Sequence, residues 1–293
     1  SPVLSPPLLL AGEAPAAASI PLQRHVGRGA EGATQLRKVF SWLAIGPAFS
    51  NFLGPFAAGI AIDHGGFQLA FLLMAVLPLA GWAWVRGTRE LPPVPVPEGE
   101  RPRPAWDLLR ETDFRRLLVV NWLLSSCWDV HTFVVPVLGH ERGLSASVIG
   151  TILGAFAVAA VVIRILLPVL AAHVREWAVI TGSMAATAAL FCVYPLLGSA
   201  VAMGLCSVLL GLALGSVQPM IMSMLHQITP EHRHGQAVGL RLMAINASSV
   251  AMPMLFGLAG ATIGIAGVFW AVGAVVAGGT RMSVRLRDAH PHS

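Results

Sequence analysis

The chain has 293 residues, of which 55% are hydrophobic and only 11% are Asp, Glu, Lys or Arg. A soluble globular domain carries roughly 25% charged residues, and the mean hydropathy of +0.72 is also too high for one. The composition therefore excludes a water-soluble protein. A net charge of +5 could indicate nucleic-acid binding, but the basic residues flank the apolar segments instead of forming one basic face, which excludes that class.

Nine segments are apolar enough to predict membrane-spanning helices, since about 20 apolar residues cross the hydrocarbon core of a bilayer. The weakest of them, at about 3–21, contains Glu13 and several prolines. The other eight lie at about 39–62, 67–85, 117–138, 148–171, 177–198, 201–225, 240–258 and 263–279. The pattern predicts an all-α polytopic membrane protein.

One long polar stretch, from 86 to 116, interrupts the apolar pattern. It contains the proline-rich run LPPVPVPEGERPRPAW, which we expect to be extended and solvated. The sequence WDLLRETDFRR at its end predicts a short amphipathic helix at the membrane surface. We place the domain boundary here, with the following units: 1–85, the remnant of an N-terminal helical bundle; 86–116, a linker; 117–287, a C-terminal six-helix bundle; and 288–293, a tail.

Basic residues are distributed very unequally between the two sides of the predicted spans. They cluster before the first strong span, in the linker, at Arg175 and Arg233 and near the C-terminus, whereas only Arg142 lies in a loop on the opposite side. Because cytoplasmic loops carry an excess of Lys and Arg, the linker and the C-terminus are predicted to be cytoplasmic. We expect an integral protein of the bacterial inner membrane.

The sequence contains a short internal repeat. The segment GPFAAGIAIDHGGFQLAF (54–71) aligns without gaps with the segment at 252–269. The matched pairs, each at an offset of 198, are Pro55 and Pro253, Gly59 and Gly257, Gly66 and Gly264, and Phe71 and Phe269. This offset spans six predicted helices, which indicates a six-helix unit used twice.

These features together resemble the major facilitator superfamily, whose two halves are parallel six-helix repeats. The run Gly54-Pro55-Phe-Ala-Ala-Gly59 is similar to the family's fifth-helix signature, and the linker falls where the family joins its two bundles. The stretch ITPEHRHGQAVGLR (228–241), followed by Met252-Pro253, resembles the loop between helices ten and eleven. After Arg164, the family's Gly- and Asp-bearing loop motif is almost erased.

The resemblance covers about residues 10–287 and implies that the predicted spans are helices four to twelve. Three further helices would precede Ser1, so the first bundle would be incomplete. It also implies alternating-access transport of a small molecule. The glycine-proline signature is typical of antiporters in that family, which favours export.

The span 117–138 carries the best candidate site. Ionisable groups inside a membrane span are energetically costly and by default indicate function, and this span contains Asp129 and His131. Asn121, Ser125 and Asp129 are four residues apart and so share one helical face. Helix seven of the resembled family lines the central cavity, which implies that Asp129 or His131 carries the coupled proton. Alternatively, both could pair structurally with a neighbouring helix or lie near the outer mouth.

Three more polar residues are candidates near the cavity, and a fourth, Arg241, is interpreted differently. Arg164 lies within a span and could bind an anion or act as a structural lock. Gln218 stands beside Pro219 in the span 201–225, which the resemblance makes helix ten of the family. Glu13 lies in the weak span 3–21, which would be helix four, and could face the cavity from there. Arg241 lies near a span end, which predicts an anchor at the membrane interface.

Small residues and prolines predict how the helices bend and pack. Candidates for helix bending and gating are Gly54, Pro55, Gly59, Pro219 and Pro253. Three glycine pairs have the spacing of close helix approach, namely Gly150 and Gly154, Gly211 and Gly215, and Gly260 and Gly264.

The chain shows no Ser-His-Asp order, no Walker loop and no paired-cysteine motif, because Cys127, Cys192 and Cys206 lie singly in apolar runs. We therefore expect no enzyme activity, no cofactor and no metal. The leading hypothesis is a monomeric, proton-coupled secondary transporter whose partners are a small-molecule substrate, protons and the lipid bilayer. The alternative is a non-transporting membrane sensor or scaffold, or a degenerate transporter relic, which the missing helices and the eroded loop after Arg164 favour.

Overall fold

The fold is taken from a computed structural model of the chain. Most of the described residues belong to a C-terminal helical bundle. The described residues are 22–23, 26–27, 32–46, 65–66, 68, 72–73, 76, 79, 83, 104–170 and 175–288, with no side-chain description at 146–147. The predicted span 3–21, most of 39–62 and 67–85, and the proline-rich part of the linker therefore lie outside them.

Long α-helices dominate the described part of the chain. A helix over 32–46, here α1, belongs to the region before the linker. The later helices are α2 (Thr112–Glu141), α3 (Ala146–Leu170), α4 (Glu176–Val193), α5 (Ala200–Ile228) and α6 (His234–Val284). The helical regions Thr112–Glu141, Val148–Leu170, Glu176–Leu196, Ala200–Ile228 and Glu231–Arg287 are each long and apolar enough to cross a membrane. The all-α membrane fold predicted from the sequence is confirmed.

Local sequence signals explain where two of these helices begin and end. Gly143, with φ 71°, follows α2, and the amides of Gly143 and Leu144 donate to the carbonyls of His140 and Gly139. This is a Schellman motif, which needs a residue that tolerates positive φ. At the same end of the bundle, the Ser199 hydroxyl accepts from the amide of Ala202 at 3.2 Å and so caps α5.

The last helical stretch, α6, is two helices joined at a break. Its 51 residues would form a straight helix of about 77 Å, more than twice the thickness of the hydrocarbon core. Gly264 has φ 75° and ψ 164°, which no helix contains. Gly66, its partner in the sequence repeat, also has positive φ, at 68°. The repeat therefore places a left-handed glycine at the same point of both copies.

The predicted amphipathic surface helix at the end of the linker is not a separate α-helix. Residues Ala105–Arg110 form a 3₁₀ helix, and Glu111 is extended with ψ 120°. The α2 helix then starts at Thr112, five residues before the predicted span. Pro104 holds the chain extended ahead of the 3₁₀ turn, and the linker end is fixed to the bundle because Arg233 donates to the Pro104 carbonyl at 3.1 Å.

Glycine packing is confirmed for only one of the three predicted pairs. A Cβ built on Gly211 would lie 2.3 Å from the Phe156 carbonyl oxygen, and one on Gly215 would lie 2.7 Å from the Ala160 Cα. These two glycines let α5 and α3 approach closely. The prediction is wrong for Gly150 and Gly154, since nothing lies within 4 Å of a Cβ built at either.

The outer face of the bundle is strongly apolar. Large side chains such as Val169, Met254 and Val201 are exposed to more than 70%, as expected of a surface that faces lipid. Polar side chains turn inward and bond between helices, as Ser126 does with Ser248 at 3.2 Å and Ser183 with Ser216 at 3.1 Å.

Candidate functional site

A cavity of about 900 Å³ opens between the helices of the bundle, beside the end of α1. Its polar lining is contributed by α2, α3, α5 and α6. The polar residues in its wall are Asn121, Ser125, Asp129, Arg164, Gln218 and Ser249. Small residues keep the space open on the α3 side, where Gly150 and Gly154 line it; this is why those glycines contact no neighbouring helix. The cavity has a volume suitable for a small organic ligand.

The three polar residues predicted to share one face of α2 form a polar stripe along the wall of this cavity. Asn121, Ser125 and Asp129 all line it, as their spacing on one helical face requires. Asp129 is only 8% exposed, and among the described residues its Oδ2 has no hydrogen-bond partner. A buried carboxylate oxygen that accepts no hydrogen bond disfavours the charged form of the group.

Arg164, on α3, also lines the cavity. Its Nε donates to the Gly215 carbonyl at 3.2 Å, and its Nη1 donates to the Ala44 carbonyl at 3.3 Å. Its guanidinium carbon also lies 5.7 Å from the centre of the Trp128 ring, a cation–π contact. The side chain therefore connects α3 to α1 and α5, and no carboxylate among the described residues forms an ion pair with it.

The prediction that Arg241 anchors its helix at the membrane interface is wrong. The residue is fully buried, at 0% exposure. Its Nε donates to the Asn121 Oδ1 at 3.3 Å and its Nη2 to the Gln218 Oε1 at 2.6 Å. Arg241 thus lies directly behind the cavity wall and holds two of its polar residues. The signal that could have located it is the pair of amide side chains at matching depth in two other predicted spans.

His131 lies away from the cavity. Its Nε2 is 2.9 Å from the Ser207 Oγ, and its ring stacks on Phe156 with centroids 3.9 Å apart. The Tyr194 hydroxyl lies 2.8 Å from the same Ser207 oxygen. His131 therefore belongs to the packing between α2, α3 and α5.

The remaining predicted residues are spread over the chain. Pro219 is buried within α5 next to Gln218, and Pro253 lies inside the first half of α6. Glu13, Gly54, Pro55 and Gly59 lie outside the described residues. Within the described part of the chain, no group of three or more His, Cys, Asp or Glu side chains could hold a metal ion.

Apolar helices that surround a cavity lined by both polar and apolar side chains are an architecture typical of membrane transport proteins. The family model of the Major Facilitator Superfamily matches the chain over residues 16–204 and again over 117–293. The chain belongs to this superfamily, as the sequence resemblance predicted.

Two solved transporters have the same fold. A bacterial homologue of the iron transporter ferroportin, in an outward-facing state, superposes with a TM-score of 0.73 and 17% identity, covering 92% of this chain and 68% of that one. The human organic anion transporter MFSD10 (TETRAN) superposes with a TM-score of 0.73 and 15% identity, covering 90% and 67%. Among curated protein sequences, none matches the chain significantly.

Proposed function

We propose that the protein is a proton-coupled secondary transporter that moves a small molecule across the membrane by alternating access. The observation that carries this proposal is Asp129, a buried carboxylate in the cavity wall without a hydrogen-bond partner for its Oδ2 among the described residues. Intramembrane carboxylates in such cavities are typical proton carriers. Protonation would remove the energetic cost of burying the charge. Water entering from the other side would solvate the carboxylate and so allow it to release the proton.

Contacts between α1 and the later helices support rocking of two units. Arg164 reaches the Ala44 carbonyl, and Arg37 reaches Glu176. We assign residues 1–85 to a first bundle and 117–287 to a second, joined by the linker 86–116. In alternating access these contacts would break as the cavity opens on their side. We place the protein as a monomer in the bacterial inner membrane with the linker and C-terminus in the cytoplasm.

The direction we propose is export, on the strength of the Gly54-Pro55 signature in the family resemblance. One similar structure is a homologue of an iron transporter and the other is an organic anion transporter, so the two names do not point to one substrate. At 15–17% identity these structures share the fold with this chain, and the substrate has to be argued from the cavity itself.

Proton flux in reconstituted vesicles tests the proposal. Purified protein is incorporated into liposomes that contain a pH-sensitive dye, and a panel of small organic acids, neutral compounds and amines is added one at a time. We expect at least one compound to cause a proton flux that protein-free liposomes do not show. Asp129→Asn should abolish this flux while the variant remains folded and equally abundant.

The matched control is Asp113→Asn, which removes an aspartate from the same helix but at a partly exposed position outside the cavity. It should retain the flux. Full flux in Asp129→Asn would remove Asp129 from the mechanism. Folded protein that gives no compound-dependent flux across the panel would instead favour the sensor or scaffold alternative.

A further inference from the structure

The charges around the cavity are unequal. Among the described residues, two guanidinium groups lie in or directly behind its wall, those of Arg164 and Arg241, against the single carboxylate of Asp129. Neither arginine forms an ion pair with a described carboxylate. A cation buried in a membrane protein without a counter-ion is costly, so a bound anion would relieve that cost.

Arg164 has donors available for such an anion. An arginine carries five N–H groups and no acceptor, and only its Nε and Nη1 contact carbonyl oxygens here. Its Nη2 has no hydrogen-bond partner among the described residues. The Trp128 ring beneath the guanidinium keeps it in the cavity wall. The side chain can therefore offer a planar pair of donors to a carboxylate, sulfonate or phosphate group.

Arg241 determines how the amide side chains of Asn121 and Gln218 are oriented, and so which end of each is available to a ligand. Because a guanidinium can only donate, the oxygens of Asn121 and Gln218 must face it. The amide NH2 group of each side chain is therefore the end that does not face Arg241. Gln218 lines the cavity, so the hydrogen-bonding group that it offers there is a donor. Arg241 acts through these amides as a positioning residue.

We propose that the cavity binds a small organic anion, with its acidic group held by the donors of Arg164 and Gln218. The rest of the wall suits an organic body, since Leu124, Trp128 and Leu153 line it as well. This inference rests on the proposed function in that it takes the cavity to be the substrate site. Asp129 would then handle the proton and Arg164 the anion, on two different helices.

Equilibrium dialysis of the purified full chain in detergent tests the proposal. The probe is radiolabelled benzoate, and the competitors are benzenesulfonate, the neutral analogue benzamide and the cation benzylamine. Charge-assisted hydrogen bonds are worth enough for about a tenfold difference or more in affinity. We therefore expect both anions to bind about tenfold more tightly than benzamide or benzylamine.

Arginine variants connect this selectivity to the site. Arg164→Gln should remove the preference for benzoate over benzamide, and Arg164→Lys should restore part of it. The control is Arg110→Gln, which removes an exposed positive charge outside the cavity, and it should leave benzoate affinity unchanged. The comparison of ligands on the unaltered chain remains informative even where a variant fails to fold.

Three outcomes would overturn the proposal: equal or absent binding of benzoate and benzamide, tighter binding of benzylamine, or benzoate binding that persists unchanged in folded Arg164→Gln. Binding in detergent requires no proton gradient. A failure here therefore leaves proton-coupled transport standing, and loss of proton flux in vesicles leaves the anion selectivity standing.

Discussion

The guanidinium of Arg37 lies 2.8 Å from the carboxylate of Glu176, and both side chains are at most 10% exposed. The contact joins α1 to the first residue of α4. Ser223 and Gln227 of α5 donate to the same carboxylate oxygen at 2.8 and 2.7 Å. Helices from before and after the linker thus meet at one buried acid.

Breaking this pair from one side should destabilise the protein more than removing both charges. A buried ion pair that loses one partner leaves an uncompensated charge, which costs about 3–5 kcal/mol. We expect Arg37→Gln to lower the free energy of unfolding by about 3 kcal/mol, and Arg37→Gln combined with Glu176→Gln to lower it by less. Unfolding in detergent micelles with an increasing fraction of SDS measures both.

The comparison pair is Arg116 and Asp113, which are 3.0 Å apart but 25% and 36% exposed. Surface pairs contribute about 0–1 kcal/mol, so Arg116→Gln should change little. If the double variant is instead less stable than Arg37→Gln alone, the loss of one charge is not relieved by the loss of the other, and the ion pair does not stabilise the assembly.

Gly211→Ala should separate α5 from α3. The added Cβ would lie 2.3 Å from the Phe156 carbonyl oxygen, a backbone atom that cannot move without its helix. Overpacking of this kind typically costs about 1–3 kcal/mol. The same SDS titration measures it, with Gly182→Ala as the control because a Cβ there meets nothing within 4 Å. Equal stability of the two variants would show that α3 and α5 tolerate a wider separation.

His131→Gln should weaken the fold without stopping proton flux. The imidazole contacts Ser207 and stacks on Phe156 outside the cavity, so its loss removes a buried hydrogen bond and packing worth about 1–3 kcal/mol. Stability is measured by unfolding and flux by the vesicle assay. A stable His131→Gln protein without flux would instead assign the coupled proton to His131.

The sequence predicted those parts of the site that depend on one helix or on the repeat. The stripe of Asn121, Ser125 and Asp129 follows from helical periodicity alone, and the sequence repeat pairs Gly66 with Gly264, both of which have positive φ. The burial of Arg241 did not follow, because a charge near a span end can extend to the interface or turn inward. Partners on other helices decide between the two, and periodicity carries no information about them.

Gln218→Glu should change stability and binding in opposite directions. The Arg241 Nη2 lies 2.6 Å from the Gln218 Oε1, so a carboxylate at this position would give the buried guanidinium a counter-ion. Charged hydrogen bonds are about twice as strong as neutral ones, and we expect the free energy of unfolding to rise by at least about 1 kcal/mol. Benzoate affinity should fall by about tenfold or more, because a negative charge replaces the amide NH2 donor of Gln218 in the cavity wall.

The control is Gln218→Met, which keeps a side chain of similar length but neither donates nor accepts well. It leaves Arg241 with only Asn121, so stability and benzoate affinity should both fall. If Gln218→Glu lowers the stability, Arg241 already has its charge compensated by other means. If it raises the stability and leaves benzoate affinity unchanged, Gln218 does not contact the anion, and Arg241 stabilises the fold without positioning a donor.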